Sequence, residues 1–369
     1  MSMPSLKFNT QDKPEFVQEL RKRVSGYFKE NKISRHANGQ MKVKTAFMIL
    51  LYFTPLVLML TTVVSSFWGV MLMWTLMSLG MSGIGLSIMH DANHGSYSKN
   101  QKVNNALGFL LNFLGAYHVN WKIQHNVLHH SFTNVTEMDE DITNPVIRMS
   151  PNQKRKWANR FQAFYAPLFY GIMTLYWLVA KDIDQVFRYN RKNLLKTQGL
   201  SFKKALTHIT FHKTWYLILT LVLPILIVDL PWWQITLGFV FMQFGSGLFL
   251  ALIFQPAHVI EETDFFTPAT SGTMENNWAI HQLRTTSNFA NKSRWFSWFV
   301  GGLNYQIEHH LFPNICHIHY RGISQIVKDT AKEFEVPYYQ HKTFYDALKS
   351  HFSLLHKLGT GSYDRKAAA

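Results

Sequence analysis

The chain has 369 residues, with 37 Lys and Arg against 22 Asp and Glu, for a formal net charge of +15. That length would suit two or three soluble domains, but long apolar runs override the expectation. A single cysteine, Cys316, excludes an intrachain disulfide framework, and the basic residues carry no nucleic-acid-reading motif, which argues against a nucleic-acid partner.

Residues 1–44 are charged and polar, with no pattern of a cleavable signal peptide. Lys44 is then followed by 46 residues without Asp, Glu, Lys or Arg, ending at His90. A bilayer core takes about 20 apolar residues per helix, so this run reads as two spans, near 47–64 and 68–89, joined by a tight turn. A second pair is expected at about 215–231 and 232–254, turning around Asp229 and Pro231. The sequence thus predicts an all-α integral membrane protein with four transmembrane helices in two hairpins. Segments 90–214 and 255–369 form a large helical cap, and 45–369 is one membrane domain. Lys and Arg crowd residues 7–44, 99–213 and the C-terminal third, and are missing from the short turns between paired spans. Positive charge stays on the cytoplasmic side during insertion, which places both termini and the cap there. Attraction to anionic headgroups explains the same charge.

Phe161–Ala180 is another 20 residues without a formal charge. If it crossed, the eight Lys and Arg between 181 and 213 would face outward, against the charge rule. It therefore reads as an interfacial helix. Ala106–Val119 is too short to span and reads as a re-entrant or interfacial piece.

Seven of the 18 histidines fall in three clusters beside the apolar runs. They are His90 and His94 in MHDANHGSYS; His125, His129 and His130 in HNVLHHSFTN; and His309 and His310 in GGLNYQIEHHLFPNICHIHY. Imidazoles four apart share a helix face and can converge on metal. A lone histidine at a membrane boundary is usually a hydrogen-bonded side chain, but seven in repeated spacings are hard to gather without a cation. Zinc sites use three or four ligands, often with cysteine, and calcium and magnesium prefer oxygen. So many nitrogens exceed what one ion binds, so two ions are expected. Two irons would add redox chemistry, while a dizinc hydrolase stays open on ligand chemistry alone. Gly95 and Pro313 are expected to stop the first and third cluster helices. Gln306 stands where a third histidine would continue the spacing, and a neutral amide there suits a hydrogen bond or a water-mediated contact.

These three boxes, in this order beside two apolar pairs, resemble the membrane-bound fatty-acid desaturases over nearly the whole chain, from the first span to about Tyr338. Gln306 resembles the front-end (delta-6-like) branch, and AIHQLRTTSNFA before the third box resembles bacterial members acting on acyl-lipid or acyl-CoA. The resemblance implies metal ligands at His90, His94, His125, His129, His130, His309 and His310. It also implies an eighth at His258, in FQPAHVIEE at the end of the last span. His281 is expected beside the site rather than on metal, as are His317 and His319. His36, His208, His212, His341, His351 and His356 read as ordinary surface histidines. The implied cofactors are two iron ions, with molecular oxygen as co-substrate. The implied reaction removes two hydrogens from adjacent methylenes of a long acyl chain. No HPGG haem motif is present, so electrons are expected from a separate ferredoxin-like protein or free cytochrome b5. Aromatic stretches Phe109–Trp121 and Trp295–Phe299 are candidate walls for an acyl tunnel. Hydroxylation of an acyl or sphingoid chain on the same scaffold is the nearest rival, and a metal-dependent membrane hydrolase or metal transport is more distant.

Overall fold

The computed structural model describes residues 6–268 and 272–367, so the extreme ends of the segments named above lie outside the described residues. Chain contacts divide it into two compact units. The first holds residues 38–123 and 167–251, and the second holds the residues before 38 together with 124–166 and everything from 252 on.

Among the described residues, four helices are long and apolar enough to cross a membrane: Gly39–Leu60, Phe67–Asn93, Phe202–Ile227 and Trp232–His258. After α1 (Pro14–Glu30) we label the first two α2 and α3. α2 begins at Gly39 instead of near 47, because a helix starts where its first amides find a cap and not where hydropathy rises. The Asn38 side chain accepts from the Met41 amide at 3.1 Å. α3 runs on to Asn93 through a π-helical stretch, Ile84–Ile88, which breaks the 3.6-residue phase just before His90. α2 and α3 pack closely where Gly80 lies on the backbone of Tyr52: a Cβ at Gly80 would stand 2.7 Å from the Tyr52 nitrogen.

Residues 161–180 do not form one straight interfacial helix. Two helices, α4 (Trp157–Gly171) and α5 (Met173–Arg191), meet at a 56° bend. Two helices that begin in the first unit, α6 (Phe202–Ile227) and α7 (Trp232–His258), complete the four long helices. The vertex of the bend packs on the middle of α7: a Cβ at Gly171 would meet the Phe244 ring, and one at Gly247 would meet the Gly171 carbonyl. A vertex buried at that depth suits a re-entrant segment or a broken span, and its charged end is tied down locally. Lys213 Nζ pairs with the fully buried Asp182 at 2.8 Å and donates to the Gly115 and Trp177 carbonyls. Asp182 also accepts from the Tyr117 amide at 2.9 Å and the Trp177 indole at 3.0 Å. α6 starts at Phe202, well before the expected 215, under a Ser201 cap. That extension is basic, with Lys203 and Lys204 in its first turn.

The second unit packs α1 against α8 (Trp278–Arg284), α9 (Gln306–Leu311) and α10 (Tyr320–Glu333). Its apolar core joins Phe16, Leu20 and Val24 to Leu283, Ile307, Ile323 and Val327. The described residues include short β-pairs as well as helices. Lys7–Phe8 runs parallel to Thr273–Met274, and Ser287–Phe289 runs parallel to Tyr339–His341. A further helix, α11 (Phe344–Thr360), is held to the 148–162 segment by Gln162, which donates to the Leu355 carbonyl at 2.7 Å.

Candidate metal centre

In the first unit, His90 lies on the last turn of α3 and His94 is its C-cap. Gly95, at φ +72°, ends the helix as expected. The two imidazoles lie 4.8 Å apart, centroid to centroid, and Trp121 stands edge-on to both, at 5.6 and 5.9 Å. That aromatic from the 109–121 stretch walls the first box.

In the second unit the structure brings six predicted ligands together. The second box opens as a π-helical stretch, Ile123–His129, and runs into one α-turn, His130–Phe132. Its wider turn stacks His125 on His129 at 5.4 Å and turns the His130 ring nearly perpendicular to both. His309 and His310 come from α9, which stops just before Pro313, and His258 is the last residue of α7. All six are buried.

In four of the six rings Nδ1 has a partner that fixes the ring, and in three of these the partner is an acceptor. His129 Nδ1 donates to the Asp139 carboxylate at 3.1 Å, His258 Nδ1 to the Thr285 carbonyl at 3.1 Å, and His310 Nδ1 to Gln282 Oε1 at 2.7 Å. His309 Nδ1 lies 3.1 Å from the Tyr320 hydroxyl. A proton held on Nδ1 leaves Nε2 with a lone pair, the arrangement a metal-binding imidazole needs. His258 Nε2 is buried with no hydrogen-bond partner among the described residues. His130 Nε2 stands 3.2 Å from His125 Nε2 and 2.9 Å from His309 Nε2. Two nitrogens bound at right angles to one cation at about 2.1 Å would stand about 3 Å apart, so this spacing fits.

Two overlapping triads result. His129, His258 and His310 bring one ligand atom each within 4.8 Å of one another, as do His130, His309 and His310. His125, His129 and Asp141 form a further group on the same measure. Electrostatics also favours a cation here. Asp139 is wholly buried, and its hydrogen-bond donors are His129 and the amides of Asn134 and Asp141. Burial opposes a charge on His129, but Asp139 and Asp141 outweigh it and raise the imidazole to about 9. His129 in turn holds Asp139 below the usual carboxylate range against the cost of burial. The residues present therefore fit a metal centre.

The remaining predicted residues sort as follows. His281 is buried and donates from Nε2 to the Thr133 carbonyl at 2.7 Å, and burial holds it down at about 4. It braces the end of the second box and is in none of the metal-competent groups found among the described residues. Gln306 is buried at the start of α9, with its Nε2 lacking a hydrogen-bond partner among the described residues. His319 bonds the His36 carbonyl at 3.1 Å. His351, read from the sequence as a surface histidine, is fully buried. It donates to the Val259 carbonyl at 2.7 Å and so braces the residue after His258. Trp295 is among the most exposed aromatics, so the 295–299 stretch presents it outward and not into a closed wall. Asp139, Gln282, Thr285 and Tyr320 escaped the sequence reading. Only Asp139 and Asp141 carried a signal, as acids just past the second box.

The fatty acid desaturase family profile matches residues 65–342. The chain is similar to the sn-1 linoleoyl-lipid 6-desaturase of Synechocystis sp., at 35% identity over 94% of this chain and 96% of that protein. It is 34% identical to the protein of the same name from Arthrospira platensis, over 93% and 92% of the two chains. It is 35% identical to the acyl-lipid (8-3)-desaturase of Physcomitrium patens, over 96% of this chain and 74% of that one.

Proposed function

This chain belongs to the fatty acid desaturase family, and we propose that it inserts a front-end double bond into a lipid-linked acyl chain at a diiron centre. The observation that carries this reading is the buried group of six imidazoles, four of them held at Nδ1 by their neighbours. The related 6-desaturases act on sn-1 linoleoyl-lipid, which favours an acyl-lipid over acyl-CoA as carrier. We assign His125, His129, His130, His258, His309 and His310 as ligands in the second unit. His90 and His94 are assigned from the box pattern, and Gln306 as a polar neighbour without a direct metal bond. Two iron ions bound there would supply the oxygen-activating redox chemistry that attacks an unactivated C–H bond, with electrons from a separate ferredoxin-like or cytochrome b5 carrier.

The protein's own part is positioning and charge control. Asp139, Thr285, Gln282 and Tyr320 fix four rings so that their inner nitrogens converge without reorganisation. The Asp139 carboxylate balances cationic charge in a site closed to water. Trp121 packs against the first-box rings and limits what can approach them. Choice of one methylene among near-identical neighbours then depends on how the acyl chain is held. Both termini and the centre are assigned to the cytoplasmic side on the distribution of Lys and Arg.

The test is lipid mass spectrometry of a host expressing the chain, beside His309→Ala. A product lighter by two hydrogens, absent with the variant, is expected. A product gaining oxygen would mark hydroxylation, and turnover without oxygen would overturn both oxidative readings.

A further inference from the structure

Beside the third box, the second unit contains a pocket of about 900 Å³ that the metal chemistry does not use. Its rim carries Arg21, Lys29, Lys32 and Arg35, and no acidic residue lines it. None of the four makes an ion pair among the described residues. Its inner wall is apolar and aromatic, with Phe28, Trp278, Leu311 and Phe312. The pocket is built and not merely a gap. The Cys316 amide donates to the Arg35 carbonyl at 2.9 Å, and His319 Nε2 to the His36 carbonyl at 3.1 Å, which ties the cationic segment to the chain after the third box. The Trp278 indole donates to the His130 carbonyl at 3.0 Å.

The chemistry of the lining identifies the occupant. His258 ends a membrane-spanning helix, its ring lies 4.6 Å from His310, and the next residue, Leu311, lines the pocket. The pocket therefore adjoins the histidine cluster within the second unit. A cationic rim over an apolar floor matches a phosphate group followed by glycerol and the start of an acyl chain. Its volume falls in the range of small-ligand sites. A protein partner such as an acidic electron carrier would press on a broad face and not fill a concavity. We propose that this pocket binds the headgroup of an anionic glycerophospholipid. The desaturase reading supplies that lipid's role, as the acyl donor, and the binding itself does not depend on it.

The test uses the purified metal-loaded protein in a neutral detergent, titrated with dioctanoyl phosphatidylglycerol, dioctanoyl phosphatidylcholine or inorganic phosphate, with binding read by native mass spectrometry. The variants are Lys29→Gln/Arg35→Gln at the rim and, as a charge-matched control, the exposed pair Lys203→Gln/Lys204→Gln. Phosphatidylglycerol should bind more tightly than phosphatidylcholine, inorganic phosphate should not displace it at equal concentration, and the rim variant should weaken it about tenfold while the control does not. Unchanged binding by the rim variant would overturn the proposal. Equal weakening by the control, which marks diffuse attraction, and displacement by phosphate alone would do the same. Binding is read without turnover, so its failure leaves the desaturase reading standing, and loss of turnover leaves the pocket standing.

Discussion

Asp139→Asn tests the electrostatic design of the centre most directly, because it keeps the side chain's size and removes its charge. Asp139 is wholly buried, and its oxygens meet His129 Nδ1 at 3.1 Å and the Asn134 and Asp141 amides at 2.9 Å. The single oxygen of an amide can accept from only one of the two backbone amides, its NH2 opposes the other, and it no longer balances a cation. Loss of such an outer partner lowers metal affinity about 10–100-fold, or roughly 1.4–2.7 kcal/mol. Metal-free protein adds a second readout. His129 is raised from 6.5 to about 9, a net of about 3 kcal/mol in favour of its charged form after its carboxylates have offset the cost of burial. A raised imidazole contributes fully below its unfolded value near 6.5, and the contribution disappears as pH rises through about 9. The melting temperature of metal-free protein in detergent should therefore fall between those values, and Asp139→Asn should flatten the fall. Bound metal displaces the proton from His129 and should flatten it too. The assay pairs chelator titration of bound iron with melts at stepped pH. Asp139→Asn protein that keeps both its iron affinity and the same pH slope would refute the reasoning.

Three further outcomes follow from the packing. Gln282→Ala removes the acceptor of the His310 Nδ1 proton and the partner of Thr133, so iron retention should drop at least about tenfold with little change in expression, measured by metal content against chelator. Lys213→Met leaves Asp182 buried beside its remaining amide and indole donors. That should cost about 3–5 kcal/mol by thermal melt, with adding Asp182→Asn recovering part of the loss. Gly80→Val drives a branched side chain into the Tyr52 backbone, which cannot give way. A loss of about 1–3 kcal/mol is expected, or failure to accumulate in membranes, while Gly39→Val, with no atom near its Cβ position, should be nearly neutral.

The four long helices and the identity of the histidines were legible because both depend on near neighbours. An uncharged run of 46 residues must enter a membrane, and imidazoles four apart on a helix share a face whatever surrounds them. Helix ends were read less well, since Asn38 and Ser201 caps, and not hydropathy, set them. The phase of the boxes was not readable either. π-helical stretches at Ile84–Ile88 and Ile123–His129 shift residues off the 3.6 period by amounts local sequence does not declare. The 56° bend after Gly171 was likewise hidden, because it depends on Phe244 and Gly247 of α7.

By itself the sequence determined the chemistry available: which nitrogens are present, beside which apolar runs, and with what surplus of positive charge. The tertiary structure decided how that chemistry is held. His130 meets His309 across 179 positions of chain, His310 takes its proton acceptor from Gln282, and His351 is drawn from an expected surface position into the core to brace Val259. Hydrogen-bond partners of that kind are fixed by which elements pack together, a property of distant contacts that no local pattern encodes. The cationic rim of Arg21, Lys29, Lys32 and Arg35 shows the same division. Its charges are plain in the sequence, and only folding sets them around one apolar floor beside the third box.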